Sequence, residues 1–167
     1  MNFTDIESVE KFITDNGIER FKIGVLDLNG ILRGKYVSKS KFLPGLRNGL
    51  GFCDVIIGCD VNDDLIEGLK FTGWQTGYPD APLEIVYQSG RLLPLEQETM
   101  FFLCEFAEQA EQMCPRSLLR KVLEKANKMG YEPYSAFEYE FTVFNETVES
   151  VREKSYQNLE PLSPDNF

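Results

Sequence analysis

The sequence contains no histidine and only one tryptophan, Trp74, in 167 residues. Histidine is the commonest general base near neutral pH and the commonest nitrogen ligand for metals, so catalysis or metal binding through an imidazole of this chain is excluded. Cysteine is scarce: Cys53, Cys59, Cys104 and Cys114 form no C-x-x-C pair. That spacing argues against a thiolate zinc site or a dithiol redox motif, and leaves four thiols expected to be reduced and buried as small apolar side chains. Long apolar runs are missing too. The strongest, TMFFLC at 99–104, is far short of the roughly 20 residues that cross a bilayer and has the length of a buried strand. Positive charge is in deficit, with 17 basic against 27 acidic residues and a net charge of −10. Such a field repels phosphate backbones and anionic lipid surfaces, so neither nucleic acid nor membrane is expected as a partner. Met1 is followed by no basic-then-apolar leader, and a cytoplasmic location is expected.

Apolar residues are plentiful by contrast. They make up 43% of the chain and include 13 Phe and 7 Tyr, enough for a packed core and too apolar for a disordered chain. The opening TDIESVEKFITDNG predicts a helix. Thr4 and Glu7 have capping-box spacing, Ile6, Val9, Phe12 and Ile13 recur on one face, and Gly17 is the stop. FKIGVLDLNGILRGKYV predicts a β-hairpin turning at Asn29-Gly30, with Arg33 and Lys35 on a solvated arm. Between 38 and 52 only a short helix fits around Pro44 and Gly45, and the glycines there serve turns because no phosphate-loop spacing follows them. DVIIGCDV, LKFTGW, LEIVY and RLLPL predict short strands, and TMFFLCEF at 99–106 a strong one. This pattern describes an α+β domain ending near 109.

At Pro115 the texture changes. Proline suits a first helical position, and Leu118, Leu119, Val122, Leu123, Ala126 and Met129 form an apolar stripe that ends at Gly130. SAFEYEFTVF at 135–144 then alternates as a strand, with Phe137, Tyr139, Phe141 and Val143 on one side and Glu138, Glu140 and Thr142 on the other. The tail from Asn145 has the composition of a loop. Residues i and i+2 of a strand lie roughly 6.5–7 Å apart, so Glu138 and Glu140 converge on one side. Such a pair suits hard divalent cations, an acid and base at the roughly 6.5–9.5 Å of an inverting glycosidase, or a solvated face. Trp74 as the only tryptophan gives a sugar platform thin support.

Here the sequence resembles the glutamine synthetase family. FEYEFTVF preceded by CPRSLLRKVLEKANKMGY resembles the opening of its catalytic domain, where Pro-Arg starts a helix and a Glu-x-Glu-Phe strand supplies metal ligands. GVLDLNGILRGKYV and NGLGF resemble its amino-terminal β-grasp domain, and GYPDAPLEI and LLPL its later segments. The resemblance implies a β-grasp domain over 1–109 and the truncated start of a catalytic domain over 110–167. It further implies Mg2+ or Mn2+ as cofactor and ATP as co-substrate. Glu138 would ligate the metal that orients the nucleotide phosphates, and Glu140 the metal on the glutamate side. The implied reaction phosphorylates the γ-carboxylate of glutamate, and ammonia or an amine then attacks the acyl phosphate.

Three departures stand out. Cys114 occupies the N-cap where the family usually has Asp, a loss of about 1 kcal/mol. GFCDVIIG stands where glutamine synthetases carry Asp-Gly-Ser-Ser, so Asp54 is the residue matched to the ammonium side. DLNGILRGK looks more like the relatives that join glutamate to amines. Family members form stacked rings of subunits, so a homo-oligomer is implied for the complete protein. This chain holds two ligands of a larger site and is expected to be inactive by itself. The alternative reading is a non-catalytic β-grasp interaction module from a truncated or split gene.

Overall fold

A computed structural model describes Met1 and residues 3–163. The chain divides into two compact units, Met1–Tyr131 and Glu132–Phe167.

The first unit is mixed α and β. Helix α1, Ile6–Asp15, buries Val9 and Ile13, as its 3.6-residue periodicity predicts. Its capping box sits one residue later than expected: Asp5 accepts from the Ser8 backbone N–H at 2.8 Å while the Ser8 hydroxyl answers the Asp5 backbone. Strands β1, Arg20–Leu26, and β2, Leu32–Ser38, pair antiparallel from Arg20↔Ser38 to Leu26↔Leu32. The turn between them is wider than the two residues expected. The Asp27 carboxylate, fully buried, collects the backbone N–H groups of Asn29 and Ile31 at 2.9 Å each, and Gly30 takes φ +80° to close the loop.

Helix α2, Lys39–Asn48, runs through Pro44 rather than breaking there. Burial of Phe42 and Leu46 outweighs the backbone hydrogen bond that proline removes. Phe42 stacks on Phe21 at 4.0 Å between ring centroids, nearly parallel. Gly45 is required by close approach, because a Cβ there would lie 2.4 Å from Leu50.

Strands β3, Leu50–Cys53, β4, Asp80–Ile85, β5, Arg91–Leu92, and β6, Thr99–Phe106, complete a six-stranded sheet ordered β2-β1-β6-β4-β3, with β5 attached to β6. The β1–β6 pairing is parallel and the other pairings are antiparallel. Period-two burial sets the inner face: Phe21, Ile23 and Val25 of β1, Ala81, Leu83 and Ile85 of β4, and Met100, Phe102, Cys104 and Phe106 of β6 share one core with α1 and α2. Each fully buried side chain of this size stabilises by about 1.5–3 kcal/mol. Two expected strands are absent. Asp54–Ile57 forms a 3-10 turn, and LKFTGW at 69–74 consists of turns and bends. Helix α3, Pro115–Lys128, begins at proline as expected. Cys114 gives it no side-chain cap.

In the second unit the strand expected over 135–144 has no ladder partner among the described residues. Within them its backbone meets the chain again at an isolated bridge, Phe144↔Pro161. Helix α4, Val148–Glu153, lies inside the loop that this bridge closes, where only irregular chain was expected.

Candidate functional site

Glu138 and Glu140 are both exposed, as are the intervening rings Phe137, Tyr139 and Phe141. Among the described residues neither glutamate is tied up in an ion pair, and no group of three or more His, Cys, Asp or Glu is placed to hold a metal ion. The donor set fits a hard cation in kind, since carboxylate oxygens suit Mg2+ or Mn2+. It supplies two groups of the six or more that such an ion takes.

Asp54 is 3% exposed. The 3-10 turn places it facing the segment 58–79, where the Thr72 hydroxyl, itself buried, donates to its Oδ1 at 2.8 Å, and its own N–H donates to the Pro79 carbonyl. Thr72 also lines a cavity of about 340 Å³ with Leu65, Ile66, Leu69, Trp74 and Tyr78. Trp74 is 82% exposed and meets Tyr78 edge-on at 5.4 Å. Among the described residues Asp54 has no cationic side chain in ion-pair range. A buried carboxylate with one side-chain donor is costly unless something else compensates it.

The segment carrying Thr72 is fastened to the β-hairpin. Arg33 donates from Nε to Asp27 Oδ2 at 2.8 Å and its Nη1 forms an ion pair with Asp63 Oδ1 at 2.5 Å, while Asn29 Nδ2 donates to the Cys59 carbonyl at 3.0 Å. The Arg33 side chain is 20% exposed and its Nη2 atom is buried with no partner among the described residues. The solvated arm expected at Arg33 and Lys35 is therefore corrected. Lys35 donates from Nζ to the Gly51 carbonyl at 2.6 Å and lies over the Phe52 ring. Both side chains have backbone or carboxylate partners near enough that leaving them in water would forfeit hydrogen bonds. The thiols Cys59, Cys104 and Cys114 are buried and all four cysteines are free, with burial pushing Cys104 up to about 12. That removes it as a nucleophile.

A second carboxylate went unnoticed in the sequence. Glu146, its side chain 4% exposed, accepts from Lys154 Nζ and Ser150 Oγ at 2.5 Å each and from the Glu160 backbone N–H at 2.8 Å. These donors hold it well below its ordinary range, at about 2, with Lys154 the largest cause. The signal was the Thr147-x-x-Ser150 pattern of a helix cap, which α4 forms.

The glutamine synthetase catalytic-domain model matches residues 112–166. Type-1 glutamine synthetase 2 of Dictyostelium discoideum is 40% identical over 149 residues, covering 87% of this chain and 29% of that protein. Glutamate–isopropylamine ligase of a Pseudomonas species is 34% identical over 165 residues, covering 96% of this chain and 36% of that protein. A cryo-electron microscopy structure of Plasmodium falciparum glutamine synthetase superposes with a TM-score of 0.58 at 17% identity, over 78% of this chain and 24% of that one, and establishes a shared fold. The chain belongs to the glutamine synthetase family, close to its amine-ligase members, and spans about a third of the length of these curated relatives.

No helix of the described residues is long and apolar enough to cross a membrane.

Proposed function

We propose that this chain is part of an ATP-dependent ligase that joins ammonia or an amine to the γ-carboxylate of glutamate, acting in the cytoplasm as a homo-oligomer of stacked rings. Residues 1–109 form its β-grasp domain and 110–167 open its catalytic domain. The reading is carried by one coincidence: Glu138-x-Glu140 falls inside the stretch that matches the family's catalytic domain, in a chain that aligns over 96% of its length with a glutamate–amine ligase.

In the proposed reaction a γ-carboxylate oxygen of glutamate takes the terminal phosphoryl group of ATP, releasing ADP. The amine nitrogen then attacks the acyl carbon, phosphate leaves, and the nitrogen loses a proton. Bound Mg2+ or Mn2+ supplies charge neutralisation for the phosphoryl group. Glu138 would hold the ion on the nucleotide side and Glu140 the ion on the glutamate side. Asp54 serves the amine side, where its carboxyl oxygens would accept hydrogen bonds from the nitrogen donor. The chain's own two metal-facing carboxylates are too few to assemble that site, so by itself it is inactive.

The experiment measures glutamate-dependent ADP formation with ammonium, ethanolamine and isopropylamine, for the chain and for the longest product of its gene. The longer product is expected to turn over with at least one of them and to lose that turnover on Glu138→Gln. Absence of glutamate-dependent turnover with every amine would overturn the ligase reading.

A further inference from the structure

Asp54 is held by a residue that is not fixed by its own strand. Its side-chain partner, Thr72, lies in the segment 58–79, which contains no helix or strand and depends on a few bonds for its path. Internally these include the Cys59↔Leu65 bridge, the Ile66 N–H to the Gly58 carbonyl at 2.8 Å, the Asp60 N–H to the Asp64 carbonyl at 3.0 Å, the Asp60 carboxylate accepting from the Asn62 and Asp64 N–H groups, and a turn closed between Gly73 and Thr76. Externally the charged fastening is Arg33. One arm of its guanidinium reaches Asp27, buried within the hairpin loop, and the other reaches Asp63 at the tip of the segment. A planar guanidinium engages two carboxylates at fixed angles, which an ammonium group does not do. Asp63 adopts φ +67°, a left-handed conformation that Asp and Asn tolerate better than most residues, and this turns its carboxylate toward Arg33.

We propose that Arg33 is a positioning residue: by clamping the tip of the 58–79 segment to the hairpin loop, it sets where Thr72 holds the Asp54 carboxylate. Neither Arg33 nor its two partners is bonded to Asp54, so the effect passes through the segment. The inference rests on the reading of Asp54 as the amine-side residue. The clamp itself is testable without any turnover.

The test compares wild type with Arg33→Ala and Asp63→Asn by amide hydrogen exchange and by the carboxyl carbon-13 resonance of Asp54, in the full chain at neutral pH. Asparagine keeps the left-handed backbone of residue 63 and removes the ionic attraction in one arm of the clamp. In Arg33→Ala the amides of Asp60 and Ile66 are expected to exchange at least roughly tenfold faster, corresponding to about 1.4 kcal/mol, with β6 amides unchanged and the Asp54 resonance displaced. Asp63→Asn is expected to loosen Asp60 and Ile66 and displace Asp54 while leaving the hairpin amides of Asn29 and Ile31 as they are. Faster exchange spread equally into β6 would mean general destabilisation and would overturn the proposal. A loosened segment with an unmoved Asp54 resonance would overturn it as well. If Arg33→Ala does not fold, unchanged exchange and an unmoved resonance in Asp63→Asn decide against the clamp. Failure of the amine-side reading looks different: the clamp results hold, and Asp54→Asn leaves turnover of the active protein unchanged.

Discussion

Glu138 and Glu140 share a spacing with many solvated acidic strands, and their own geometry gives no closed site. Two exposed carboxylates leave most of a magnesium ion's coordination to water, so calorimetric titration of the chain with Mg2+ or Mn2+ is expected to show dissociation constants no tighter than about 1 mM. Stoichiometric micromolar binding would refute this. Glu138→Gln with Glu140→Gln should reduce even that signal. The pair was legible from alternation alone, because Glu-x-Glu between three aromatics is a pattern in the residues themselves. Arg33 was not. Its partners, Asp27 and Asp63, lie 6 and 30 positions away in sequence on two loops, and no local periodicity announces a contact made by a turn folding back.

Elements with both a strong internal period and clear end signals matched their expectation, and two alternating stretches without a ladder did not. Helices α1 and α3 and strand β6 announce themselves by spacing and end signals. DVIIGCDV has the alternation of a strand, yet it forms a 3-10 turn because its polar atoms find Thr72 and Pro79 instead of a ladder. SAFEYEFTVF alternates well and lacks a neighbouring strand among the described residues to satisfy its backbone. The loop around α4 shows the reverse case, an element stabilised by one side chain. Glu146 has its carboxyl lowered from an ordinary 4.5 to about 2, so its stabilising contribution is complete above about 4.5 and is lost as pH falls toward about 2. Amide exchange at Asn145 and Leu162, which close the loop, is expected to accelerate over that interval. Glu146→Gln should remove this pH dependence; an unchanged profile in the variant would disprove the assignment.

Among the described residues, those of the hydrophobic core all lie between Phe3 and Cys114. A shortened chain of residues 1–131 is therefore expected to unfold in a single cooperative thermal transition at nearly the midpoint of the full chain. A broad, non-cooperative melt would show that residues 132–167 contribute to that core. Helix α3 leaves Leu118, Leu119 and Val122 more than half exposed, a face that burial within residues 1–131 does not account for. The parallel pairing of β1 with β6 has another consequence, for the order of events at the ribosome. Strand β1 pairs Arg20 with Thr99, so at about 5–20 residues per second the first hairpin waits several seconds for its central neighbour to be made. During that delay one long edge of β1 faces solvent with its hydrogen-bonding groups open, and chaperone capture or aggregation of nascent chains should concentrate before the codons of β6 are read.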